Sequence, residues 1–219
     1  MVRVSNNRSN NGAERARRRA EARRLEILRA AARTFRGKGY ASAGMRDIAA
    51  EADLSPGNLY HYFKGKDEIL YFCQDRWLDH MLRVVRAAGG RGRPVSEALR
   101  GVFETHVRYL LDELEGSTAH LEVEALPAEL RDRIVAKRDR YERAIRRLVA
   151  GGVKSGEFAA CDPTLVTRAI LGSLNWSARW FRPEGPEPAS AVASGLADYL
   201  VRGLRAVPAG TVPSRGGSE

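Results

Sequence analysis

Apolar positions along this chain recur at helical spacing, and no stretch alternates with the period of two that marks a half-buried strand, so an all-α protein is predicted. From Ala13 to Lys38, Leu28, Ala31, Ala32 and Phe35 share one face, and Gly37 and Gly39 end the segment. Ile48, Ala49 and Ala52 then share a face of a short second helix, and Leu59 and Phe63 sit four residues apart on a third. The link Ala52-Asp53-Leu54-Ser55 has room only for a tight turn. Ser55 is placed to cap the third helix, and Pro56 fits its first position, where no amide proton is missed. Two short helices at a steep angle, closed by a longer one, make a helix-turn-helix.

Further on, Ile69, Cys73, Trp77, Met81 and Val85 step by four along a helix predicted from Lys66 to Ala88. The run Gly89 to Pro94 breaks the chain, and a helix from Val95 to Leu114 turns Leu99, Val102, Phe103, His106 and Leu110 inward. A short helix from Thr118 to Ala125 comes next. Pro127 opens another, patterned by Leu130, Ile134, Tyr141, Ile145 and Leu148 and loosened by Gly151, Gly152 and Gly156. Asp162-Pro163 starts a helix through Val166, Ile170 and Leu174 to Phe181, and a final helix covers Ala189 to Leu204. The expected organisation is a helix-turn-helix domain over 13–65 and a larger helical domain over 66–206. The polar segments 1–12 and 207–219 have little to bury and are expected to be disordered.

A helix that reads the major groove needs small residues at its start and hydrogen-bonding groups just after. Gly57 permits close backbone approach, Asn58 is suited to an adenine edge, and Tyr60, His61 and Lys66 are suited to phosphates. The stretch RDIAxEAxLSxGxLYxYFxxKxxIL, from Arg46 to Leu70, resembles the DNA-binding signature of the TetR family of bacterial transcriptional repressors, and the match runs from about Leu25 to Leu70. Two positions depart from that pattern. Gly44 stands where the family has a Thr or Ser cap, with Ser42 the nearest substitute hydroxyl, and Asp53 stands where the turn has Gly. Asp tolerates a left-handed backbone better than most residues. The candidate DNA-contacting set is Ser42, Arg46, Ser55, Pro56, Gly57, Asn58, Tyr60, His61 and Lys66.

The resemblance implies a homodimer on double-stranded operator DNA, released by a small-molecule effector, with no enzymatic activity and no cofactor. The last two helices suit pairing between copies: Ala169, Gly172 and Ser173 on one and Ala191, Ser194, Gly195 and Ala197 on the other permit close approach. Trp176 and Trp180 share a face flanked by Asn175, Arg179 and Arg182, a mixture suited to a ligand with an apolar body and an anionic head or to an aromatic dimer core. The segment NWSARWFRPEGP resembles the closing segment of TetR-family regulators of fatty-acid and sterol breakdown, whose effectors are acyl-CoA thioesters. The candidate effector contacts are Phe103, His106, Asn175, Trp176, Arg179 and Trp180, although a lone histidine on an apolar face is more often a hydrogen-bonded core residue.

Composition narrows the picture. A net charge of +10 over 219 residues, with Arg15, Arg17, Arg18, Arg19, Arg23 and Arg24 ahead of the first apolar face, favours a polyanion near the N-terminus. That run is either a solvated helical extension or an arm along phosphates. Cys73 and Cys161 read as buried thiols in a reducing cytoplasm, and no membrane span, metal-ligand spacing or nucleophile–base motif is present. Two alternatives stay open at this point: a regulator sensing another lipophile, as for an efflux operon, and a helical enzyme handling acyl-CoA.

Overall fold

A computed structural model describes residues 5–90, 92–113 and 122–205. The fold is all-α: α1 (Ser5–Lys38), α2 (Met45–Glu51), α3 (Pro56–Tyr62), α4 (Lys66–Ala88), α5 (Val95–Arg108), α6 (Ala128–Lys154), α7 (Pro163–Trp180) and α8 (Ala189–Leu204). Among the described residues the one extended pairing is an isolated bridge between Phe158 and Arg205. No helix among them is long and apolar enough to cross a membrane.

Several boundaries differ from the sequence reading for physical reasons. The backbone of α1 is helical from Ser5, eight residues before Ala13, so residues 5–12 are not the disordered arm expected. Once a helix exists, each added residue gains a hydrogen bond without a new nucleation cost, and Asn, Ser and Arg can be carried along. Residues 1–4 of the expected 1–12 segment and the whole of 207–219 lie outside the described residues, as do 118–121 of the short helix predicted from Thr118 to Ala125; Val123–Ala125 is a single 3₁₀ turn. The helix predicted to Leu114 continues beyond α5 as a π-helical turn, Tyr109–Glu113. Gly151 and Gly152 do not loosen α6, which runs to Lys154; Gly156, at φ 76°, makes the left-handed stop.

The contacts divide the chain into two compact units. The first takes the described residues up to Trp77, with those of 109–136 and 177–186. In it α1 packs on α2 and α2 on α3. Ile27, Leu28, Ala31 and Phe35 from α1 are buried with Ile48, Ala49, Leu59 and Phe63. Phe63 meets Phe72 of α4 edge-on at 5.5 Å, and Arg76 pairs with Glu21 at 2.7 Å, fixing α4 against α1.

The second unit takes 78–108, 137–176 and the described residues from 187 onward. Here α5 packs along α8, burying Leu99, Val102 and Phe103 with Ala193, Ala197 and Val201. Both Glu157 oxygens accept from the amides of Val95 and Ser96 at 2.8 Å, satisfying first-turn amides of α5 that have no partner within the helix. Arg100 donates to Asp198 at 2.6 Å, Glu104 at 2.7 Å and Ser194 at 2.9 Å, tying α5 to α8. Phe158 lies on Gly152 so closely that a Cβ there would stand 2.2 Å from the ring. That contact explains why a glycine sits inside α6.

Candidate functional site

The turn between α2 and α3 is set by three local devices. The Gly44 amide donates to Asp47 Oδ2 at 2.9 Å. This is half of a capping box, since glycine has no side chain to return the bond. The same carboxylate meets Lys38 at 2.6 Å, and these two bonds hold it below the usual range. Asp53 takes φ 53°, the left-handed conformation its side chain was expected to tolerate. Ser55 Oγ then accepts from the Asn58 amide at 3.2 Å, and Pro56 occupies the first turn of α3. Leu59 is fully buried and Phe63 nearly so, fixing which side of α3 faces inward.

The opposite side of α3 is therefore exposed. Ser55, Pro56, Gly57, Asn58, Tyr60 and His61 all lie on the surface, Tyr60 at 54% exposure, and so do Ser42 and Arg46. Lys66 departs from its expected role. Its ammonium donates to the carbonyls of Tyr40, Ala41 and Ala43 at 3.0, 3.0 and 3.2 Å and sits 4.8 Å from the Tyr40 ring centre. Three protons meet three carbonyls, so this lysine fastens the α1–α2 turn to the start of α4 instead of presenting its charge outward. Tyr40, which the sequence reading passed over, completes the clasp by donating to Asp67 at 2.6 Å; burial, then that hydrogen bond, pushes its hydroxyl well above the ordinary range. The only sequence signal for this clasp was the family position of Lys66.

Arg15, Arg17, Arg18 and Arg19 are exposed on the helical α1, and Arg18 pairs with Glu14 at 2.5 Å. Further along, Arg23 pairs with Glu26 and reaches the Ala52 carbonyl at 3.5 Å, while Arg24 lies 5.9 Å over Phe63. The last two members of the run thus contribute to the helix-turn-helix itself.

The effector candidates are distributed differently. Phe103, His106, Asn175 and Trp176 belong to the second unit, and Arg179 and Trp180 to the first. Phe103 and His106 are completely buried. His106 Nε2 lies 3.2 Å from Asn175 Oδ1 and Nδ1 lies 3.1 Å from the Tyr141 hydroxyl. An amide oxygen only accepts, so Nε2 donates; a neutral ring then accepts at Nδ1 from Tyr141, and both nitrogens are satisfied. Burial pushes the imidazole down to about 4, with the Asn175 bond opposing it, so the ring is neutral at pH 7. Trp176 and Trp180 stand on the surface of α7, at 60% and 47% exposure, and Arg179 is exposed beside them. Leu165 and Tyr199 are also exposed, at 66% and 72%, giving α7 and α8 an apolar outer face. Cys73 is buried and its thiol is pushed up to about 12 by burial; Cys161 is only half-buried, and both are free. No cluster of three potential metal ligands exists among the described residues.

Two family profiles match this chain. One, described as "Bacterial regulatory proteins, tetR family", matches residues 27–71, and the other, "Tetracyclin repressor-like, C-terminal domain", matches residues 92–204. The HTH-type transcriptional repressor KstR2 of Mycobacterium tuberculosis is 28% identical over 189 residues, covering 83% of this chain and 92% of the relative. The fatty acid metabolism regulator protein of Bacillus subtilis is 23% identical over 183 residues, with 82% and 94% covered. The crystal structure of PfmR, a TetR family transcriptional regulator from Thermus thermophilus, superposes with a TM-score of 0.71 at 37% identity, covering 82% of this chain and 99% of that one.

Proposed function

The chain belongs to the TetR family of bacterial transcriptional regulators, DNA-binding proteins and not enzymes, and on that premise we propose that it is a cytoplasmic homodimeric repressor of lipid-catabolism genes, released from its operator by an acyl-CoA thioester. The observation that carries the DNA half is the outward set on α3: Gly57, Asn58, Tyr60 and His61 exposed on a helix whose start is fixed by Ser55 and whose inner side is fixed by Leu59. Asn58 reads a base edge, and Tyr60, His61, Ser42 and Arg46 hold phosphates. The exposed apolar face of α7 and α8, with Leu165 and Tyr199, supports pairing between two copies. Two-fold symmetry then sets the reading helices about 34 Å apart on a near-palindromic site.

The lipid half is supported by one relative named for fatty-acid metabolism and by the Trp-Arg composition of α7. Indole faces bury an apolar body and a guanidinium pairs with an anionic one. Trp176, Arg179 and Trp180, along the one helix α7, make those contacts; Phe103 and His106 are completely buried, and His106 is satisfied by Tyr141 and Asn175. Ligand acts by preferring a conformation in which α4, which carries residues of both units, no longer holds two α3 helices in groove register.

Binding of wild type and variants to operator and to random duplex tests the DNA half. Asn58→Ala should lose about 1–3 kcal/mol of discrimination at particular base pairs, whereas Tyr60→Phe should weaken all sequences alike. Equal losses on both duplexes for both variants would remove α3 from sequence reading. For the effector, operator-bound dimer is titrated with acyl-CoA thioesters of graded chain length; release that is unchanged in Trp176→Ala and Arg179→Ala would take α7 out of the sensing role.

A further inference from the structure

The first part of α1 stands clear of the helix-turn-helix it leads into. Residues 12–20 are all exposed; from there half-buried positions begin at Glu21 and buried ones at Ile27. This stretch therefore takes no stability from an apolar face. Its sequence, GAERARRRA, sets Arg15, Arg17, Arg18 and Arg19 against one carboxylate, Glu14, which Arg18 engages at 2.5 Å. A helical extension that serves only as a solvated face is supported by opposite charges three or four residues apart. Here one acid serves four arginines, and Arg15 lies three and four residues from Arg18 and Arg19, where like charges oppose the helix. A polyanion laid along it would turn that repulsion into attraction.

The root of the projection is fixed beside α3, within the same unit. Glu21 pairs with Arg76 of α4 at 2.7 Å, Arg23 reaches the Ala52 carbonyl at 3.5 Å, and Arg24 lies 5.9 Å over the Phe63 ring. Ala52 opens the turn that ends at Ser55, the cap of α3, and Phe63 closes α3. Arg15, Arg19 and Arg23 fall four residues apart, in one row along the helix. That row therefore ends against the turn from which the exposed residues of α3 start. Arg15 stands about 12 Å from Arg23 along the axis, and Arg17 points about 200° away from Arg15. Beyond Arg15 the helical backbone continues back to Ser5.

We propose that the N-terminal segment of α1 is a helical arm that lies along the phosphates of duplex DNA flanking the site read by α3, with Arg15 and Arg19 making the contacts. This rests on the reading of α3 given above and carries its DNA partner past the recognition site. Continuity selects duplex DNA among polyanions, because the arginine row runs into the turn that presents Gly57 and Asn58. Phosphates are spaced evenly whatever the sequence, so the arm adds affinity and salt dependence without adding base discrimination.

The probe is a duplex carrying a site that the wild-type protein selects from a randomised pool. It is used either trimmed to the protected base pairs or extended by about one helical turn, ten base pairs, on each side. On the extended duplex, Arg15→Gln with Arg19→Gln should reduce the slope of log affinity against log salt by about 0.9 per lost contact, about 3 to 4 for the two arms of a dimer. On the trimmed duplex its slope should equal that of wild type. Arg15→Lys with Arg19→Lys keeps the charge and should keep the slope, and Arg17→Gln, on the far side of the helix, should leave it unchanged. Equal slopes for wild type and the glutamine variant on the extended duplex overturn the proposal, as does an equal reduction on the trimmed one. So does an effect of Arg17→Gln as large, per charge, as that of the double variant, since net charge alone would then be responsible. Loss of affinity for anionic lipid vesicles with duplex binding intact would give the arm to a membrane surface instead. Asn58→Ala separates the arm from the reading helix. If that variant keeps full preference for the selected site while the flank-dependent slope still follows Arg15 and Arg19, the arm stands and α3 is not the reader. If it loses that preference while the slope ignores both arginines, α3 stands and the arm falls.

Discussion

The helix-turn-helix and the second unit are held together over different distances along the chain. In the first, the fixing contacts are nearer in sequence: Ser55 caps Asn58 three residues on, Asp47 caps Gly44 three residues back, and Lys66 reaches carbonyls 23 to 26 residues away. In the second, Glu157 caps α5 from 61 and 62 residues away, His106 bonds Asn175 across 69, and Arg100 bonds Asp198 across 98. A motif of local contacts carries its geometry in its spacing. A core of distant polar partners does not, because each partner is chosen by packing that only the whole fold provides.

The largest effect expected from that difference is a pH dependence seated in the second unit. His106 is held down to about 4 in the fold against 6.5 when exposed. Between those values the unfolded chain binds a proton that the folded one refuses, so stability is intact above pH 6.5 and falls as pH drops toward 4. The total is about 3 kcal/mol. Glu157, Asp198 and Asp47 are also held below their ordinary values and lose stability in acid too, but as protons reach their carboxylates in stronger acid. Urea midpoints of wild type and His106→Gln at about pH 7 and about pH 5 separate the two. The glutamine amide can still donate to Asn175 and accept from Tyr141, so the variant should lose the dependence over that interval. An equal dependence in both proteins would show that the His106 network is wet or open.

The next effect compares one substitution at two glycines. Gly152 and Gly101 both lie inside helices, yet a Cβ at Gly152 meets the Phe158 ring at 2.2 Å, while one at Gly101 meets nothing within 4 Å. Phe158 is buried and has little room to yield. Overpacking should make Gly152→Ala destabilising by about 2 kcal/mol, whereas Gly101→Ala should stabilise by up to about 1 kcal/mol through helix propensity. Thermal midpoints moving in the same direction would mean that the Phe158 contact is not rigid.

These contrasts show what could be read from the sequence and why the rest could not. The inward positions of α4 and α5, from Ile69 to Val85 and from Leu99 to Leu110, were legible because a buried helix face has a period that neighbours cannot disguise. The Ser55 cap, the left-handed Asp53 and the Asp162 carboxylate accepting from Thr164 at 2.8 Å were legible because turns are chosen by local chemistry. Gly152 was misread as a helix-loosening signal because its reason, the ring of Phe158, arrives after the chain has turned back. His106 stood out in the pattern, but its partners Tyr141 and Asn175 carry no mark linking them to it.

The smallest effect bears on the one candidate whose place in the fold changes its role. Lys66→Met keeps the length of the side chain and removes the three ammonium bonds to Tyr40, Ala41 and Ala43. Because the site is half exposed and water can replace some of those bonds, the loss of stability should be about 1 kcal/mol. Operator binding distinguishes a clasp from a phosphate contact. A lysine on phosphate contributes about one unit to the slope of log affinity against log salt, whatever it does to stability. As a clasp, Lys66 should leave that slope unchanged in Lys66→Met and lower affinity by a similar factor at every salt concentration, through looser support of the α1–α2 turn. A slope reduced by about one with an unchanged thermal midpoint would return Lys66 to the DNA surface, and would mean that its three carbonyl bonds are exchanged for phosphate when the duplex binds.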